Sequence, residues 1–138
     1  MAGPEKINIG LSQWDQTAAD HIRPVVLPEC PAGLDGLRND VESGRAAILA
    51  VEARGERIGT LLVRIEQGGD GKYFIIECAN SHLAGVDLVK TCMPALEAWA
   101  KKLGCRAVDA PTHRPGLVHK MKKQGYTVAK TVMRKVLV

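Results

Sequence analysis

The chain's 138 residues, 46% hydrophobic and 25% charged, suit one soluble globular domain able to bury a real core. No run nears the roughly 18 consecutive apolar residues of a membrane span. The start, MAGPEKINIG, lacks the charged and apolar regions of a secretory signal, so a cytoplasmic location is expected.

Charge is unevenly spread. Residues 1–69 hold seven basic and ten acidic side chains, a net of −3, whereas residues 70–138 hold twelve and five, a net of +7. A basic half suits a phosphate-rich ligand, or it is a solvated Lys-rich helix face. Aromatic residues make up only 4%, too few for a platform that stacks single-stranded nucleic acid, so nucleic acid is not the expected partner. Cys30, Cys78, Cys92 and Cys105 form no Cys-x-x-Cys pair. They read as free thiols rather than a disulfide framework or a zinc site.

In chain order, Ile7 and Ile9 alternate with polar neighbours as on a short first strand. Asp15 is placed to cap a short helix through Ala18, Ala19 and Ile22, which Pro24 stops. VVLPECPAG is a proline-bearing loop, after which Leu34, Leu37 and Val41 follow a helical period that ends at Gly44. The period then changes. Strands are expected over 46–52, 58–66 and 72–79, joined by turns at ARGE and QGGDGK into an antiparallel meander. Gly59, inside the second of these strands, hints at a bulge.

A second helix pattern follows. Val89, Cys92, Met93, Leu96, Trp99, Ala100 and Leu103 form a core stripe, with Lys101, Lys102 and Gly104 closing the helix. Pro94 falls within it and predicts a kink, at a cost of roughly 3 kcal/mol. CRAVDAP reads as another strand, RPGLVHKMKKQG as a helix opened by Pro115 and ended by Gly125, and YTVAKTVMRKVLV as one or two closing strands. The expected fold is a single α/β (α+β) domain over 1–138: a mixed, mostly antiparallel sheet with helices on both faces.

With this element order, ALEAWAKKLGC (Ala95–Cys105) and KMKKQGY (Lys120–Tyr126) resemble segments of the GNAT superfamily, the Gcn5-related N-acetyltransferases. The resemblance implies a bulged fourth strand opening into a loop whose backbone amides hold the pyrophosphate of acetyl-CoA at a helix start. On that alignment the loop spans Leu83–Val89, with Ala84, Gly85, Val86 and Asp87 as the cofactor-binding positions. Gly85 matches a family glycine, whereas Asp87 and Val89 stand where the family has small residues. A carboxylate at Asp87 opposes the pyrophosphate and is suited instead to cap the helix itself. Met121 falls where many members carry a proton-donating tyrosine.

Glu77 is then the candidate base, with Cys78 as the nearby nucleophile candidate. Each has a plainer reading, as a solvent-facing strand residue and a core thiol. Lys120, Lys122 and Lys123 are candidates for the phosphates of CoA. Two functions follow from the resemblance. The favoured one is a non-catalytic GNAT-like protein that serves binding or assembly through a protein partner or its own oligomer. Degenerate members of this kind occur in phage genomes, some as virion components. The alternative is an acetyl-CoA-dependent N-acyltransferase with a divergent cofactor loop. No metal is implied by either.

Overall fold

The computed structural model describes residues 7–26, 33–82, 88–112 and 114–137. A five-stranded sheet runs in the order β1 (Ile7–Ser12), β2 (Ala47–Ala53), β3 (Glu56–Gly68), β4 (Gly71–Ser81) and β5 (Cys105–Asp109). The first four strands are antiparallel, and β5 joins parallel to β4. That reversal requires a crossover, which α3 (Leu88–Lys102) supplies. The fold is thus the mixed, mostly antiparallel sheet that the periodicity predicts.

The turns explain the meander. Arg54 and Gly55 take φ of +53° and +75°, the two-residue hairpin geometry whose twist matches the flanking strands. Gly68 pairs with Gly71 across the second turn. The bulge hinted at by Gly59 is present one residue earlier: Val51 pairs with Gly59 and Glu52 with Arg57, leaving Ile58 as the extra residue.

Alternation along the strands feeds two cores. On one face Leu49, Val51, Leu61, Val63, Phe74 and Ile76 pack against Cys92, Met93, Leu96 and Ala100 of α3 and Met121 of α4 (Pro115–Lys123). Trp99 meets Phe74 edge-on, with ring centroids 5.7 Å apart. On the other face Ile48, Leu62 and Cys78 meet Ala18 and Ile22 of α1 (Gln16–Ile22) and Leu37 of α2 (Gly33–Glu42). Helices therefore cover both faces.

Asp15 caps α1 as expected, its Oδ1 accepting from the Ala18 amide at 2.7 Å. Pro24 then falls in a short 3-10 turn, Arg23–Val25. Helix α3 runs on through Pro94, which is exposed.

Two expectations fail. Leu103, the residue after α3, is 37% exposed although its amide still bonds the Trp99 carbonyl at 3.0 Å. Residues 126–137 form no strand, and Val128, Val132, Met133, Val136 and Leu137 are all exposed. Strand-forming composition makes a ladder only against a partner edge, and no strand among the described residues pairs with this segment. Tyr126, which opens the expected closing strands, instead follows Gly125 outside any strand and donates its hydroxyl to Glu97 Oε2 at 2.7 Å. Burial, then the Glu97 carboxylate, pushes the phenol well above its ordinary range.

Candidate active site

The site forms where the sheet comes apart. Strand β4 pairs with β3 along its whole length but with β5 only from Lys72 to Ile75. Two features explain the split. Leu62 pairs with Cys78 and Val63 with Ile76, so Glu77 is an extra residue that bends β4. Beyond Asp109, Pro111 has no N–H to continue the ladder. The β4 edge from Ile76 to Asn80 therefore borders a cavity of about 420 Å³. Its far wall comes from Ala110, Thr112, Arg114 and Leu117, and Val25 and Val26 close it from the α1 side.

Glu77 lines this cavity, but its carboxylate accepts from Arg64 Nε at 2.8 Å. Arg64 Nη2 also donates to Asp40 Oδ2 of α2 at 2.8 Å. Burial works against the Arg64 charge, yet the bonds to Asp40 and Glu77 outweigh it and hold the guanidinium above its ordinary range. The Arg64 bond, opposed by burial and aided by Arg45, lowers Asp40. Glu77 is thus half-buried in a charge cluster with Arg64 and Asp40 rather than solvent-facing. Cys78 is buried on the α1–α2 side, which matches its plainer reading.

Beside the cavity lies a polar chain that sequence reasoning missed. His21 of α1, only 6% exposed, places Nδ1 2.7 Å from Thr60 Oγ1 and Nε2 3.0 Å from His82 Nδ1 at the end of β4. Arg57 donates to Thr60 Oγ1 at 3.0 Å and to Asp15 Oδ2 at 2.7 Å. Asn80, at the cavity, donates to the main-chain oxygen of His21 at 2.9 Å. Burial first, then His82 and the Arg57 cation, lower the pKa of His21. The members lie 39 and 61 residues apart in sequence, so no local motif announces them. The one sequence signal is His21 itself, which sits on the buried stripe of α1 between Ala18 and Ile22.

Among the described residues the basic side chain at the cavity is Arg114, just before Pro115 opens α4. Lys120 and Lys123 lie exposed in the last turn, about 9 and 13 Å further along the helix axis at 1.5 Å per residue. Met121 points into the core between them. The loop positions Ala84, Gly85, Val86 and Asp87, with the expected Asp87 cap, lie outside the described residues.

No family model matches the sequence, and no curated protein matches it. Solved structures do. An acetyltransferase of Trypanosoma brucei is 14% identical with a TM-score of 0.68, over 96% of this chain and all of that one. A GNAT family acetyltransferase of Staphylococcus aureus is 14% identical with a TM-score of 0.62, over 95% and 98% of the two chains. This chain has the GNAT fold. An aminoglycoside N-acetyltransferase in complex with CoA is also similar, at 16% identity and a TM-score of 0.57, over 100% and 96% of the two chains. In this GNAT fold the split between β4 and β5 is the concave feature that the sheet topology itself creates. Among the described residues no helix is long and apolar enough to cross a membrane.

Proposed function

We propose that the cleft between β4 and β5 binds an acyl-CoA thioester and that the chain is an acyl-CoA-dependent N-acyltransferase. One observation carries this reading: beyond Ile75, β4 is released from β5 and presents its edge to a cavity of about 420 Å³. An extended chain bearing its own amides can add to such an edge as a strand does. The pantetheine arm of CoA is such a chain. Val25, Ile76, Ala79 and Leu117 supply apolar walls, and Arg114 a cation at the rim. When bound, the thioester supplies an activated acyl carbonyl. The edge amides are the type of fixed donor that stabilises charge developing on a carbonyl oxygen. The structural neighbours with CoA, or with a CoA-bearing bisubstrate analogue, support the same reading.

Two observations favour a second reading, a non-catalytic protein that keeps the cleft for binding alone. Glu77 is held by Arg64, and Met121, at the position of the expected proton donor, is buried. Calorimetry with acetyl-CoA, followed by an assay for thiol release with amines, separates the two. The transferase reading expects micromolar binding, lost in Thr112→Trp, which fills the cavity, together with amine-dependent thiol release. Binding without release supports the second reading. An absence of binding at millimolar acetyl-CoA defeats both.

A further inference from the structure

We propose that His82 carries the proton of the acyl transfer and that His21 is the positioning residue that sets which nitrogen of His82 is free. This inference rests on the transferase reading above. Its basis is the geometry of the pair. The two rings are inclined by only 20°, with centroids 5.2 Å apart and the facing nitrogens at 3.0 Å. The centroid separation exceeds the nitrogen separation by about two ring radii, so both nitrogens lie on the line between the ring centres. The contact is an N–H···N bond running along the ring planes, not a face-to-face stack.

Such a bond has two self-consistent proton arrangements. In one, the Thr60 hydroxyl donates to His21 Nδ1, and His21 Nε2–H donates to His82 Nδ1, so the outer His82 Nε2 carries a proton. In the other, His82 Nδ1–H donates to His21 Nε2, and His21 Nδ1–H donates to Thr60 Oγ1, which leaves His82 Nε2 with a free lone pair. Every inner nitrogen is bonded in both. The outer nitrogen can therefore give or take a proton with every inner ring nitrogen still bonded.

The surroundings bear unequally on the two rings. The groups facing the pair are Arg57 on β3 and Asp15 and Asp20 of the α1 segment. Arg57 lies against Thr60 with Asp15 as its own counter-ion, and His21 is buried. Burial, His82 and Arg57 therefore disfavour a charge on His21, whereas the ring of His82 is exposed. Asn80 and His82, two residues apart, both contact His21, and Asn80 lines the cavity. Glu77, the carboxylate in the same cavity, is already paired with Arg64.

The step balances. The amine nitrogen bonds to the thioester carbonyl carbon and the carbon–sulfur bond breaks. The proton lost by nitrogen passes to His82 and from there to the departing sulfur.

The test combines three measurements on the full chain. Imidazole ¹⁵N spectra of the free protein across a pH series should show His82 titrating while His21 stays neutral. Acetyl-CoA affinity of His82→Gln should stay within about twofold of the parent. Its thiol release from acetyl-CoA, with spermidine, tyramine or an alanine-initiated peptide, should fall about 100-fold, the range for a lost acid–base group. His21→Ala should keep acetyl-CoA binding and displace both the His82 titration and the pH profile of turnover. His21→Gln, whose amide reaches toward the place of Nε2, should restore part of each.

Retained turnover with an unchanged pH profile in His82→Gln overturns the proposal while the transferase reading stands. So does titration of both rings as independent, exposed imidazoles. Failure of the parent to bind acetyl-CoA, or binding with no turnover on these amines, overturns the transferase reading and this role with it.

Discussion

Arg64→Met tests whether the cluster at the β4 bulge holds the sheet against α2. The substitution keeps the apolar stem and removes a guanidinium that bonds Asp40 at 2.8 Å and Glu77 at 2.8 Å. A hydrogen bond to a charged group contributes about 1.5–3 kcal/mol when buried. Here Asp40 and Glu77 are 23% and 33% exposed, so water recovers part of each loss. A destabilisation of about 2 kcal/mol at about pH 7 follows, or roughly 6–10 °C in Tm for a chain of this length.

The pH dependence has a definite sign. Arg64 lowers the folded-state pKa of Asp40 below its ordinary 3.8. The stability that this linkage adds is present above the unfolded value and is lost as pH falls through the lowered folded one. Urea titrations of parent and variant should therefore converge as pH drops from about 5 toward about 3. A variant as stable as the parent at neutral pH, or a gap unchanged at acid pH, would refute the reasoning.

Gly55→Ala should cost about 1 kcal/mol, because Gly55 sits at φ +75° with nothing within 4 Å of an added Cβ. The penalty is backbone strain alone, so the denaturation midpoint should fall while the m-value stays constant. Cys92 is 1% exposed, and burial pushes its thiol up to about 11. In the native protein it should resist a thiol reagent at about pH 8 and become modified only in denaturant, which peptide mapping would reveal. Modification of Cys92 under native conditions would mean that α3 does not seat its stripe as described.

The meander and the helices were legible because each rests on a local rule. The apolar run of residues 46–51, buried on both faces of the sheet, and the stripe of Cys92, Met93, Leu96 and Ala100 describe surfaces that a covered strand and a one-sided helix bury. Gly55, Gly104 and Gly125 all hold the positive φ that a turn or helix end demands. The tail failed for the opposite reason. Val128, Val132 and Val136 have the composition of a strand, yet pairing depends on an available edge, which composition does not encode.

The site divides along the same line. Glu77 was found because it precedes a recognisable loop, but its bond to Arg64 depends on a bulge that shifts the register by one residue. His21, Thr60 and His82 were invisible because each is unremarkable among its own neighbours. A histidine on a helix, a threonine in a strand and a histidine at a strand end meet only once α1 lies across β3 and β4. Burial is what turns them into a unit. Desolvation makes an unpaired imidazole or hydroxyl costly, so the His21 ring and the Thr60 hydroxyl must satisfy one another. That same constraint leaves the outer nitrogen of His82 as the point where a proton can enter or leave.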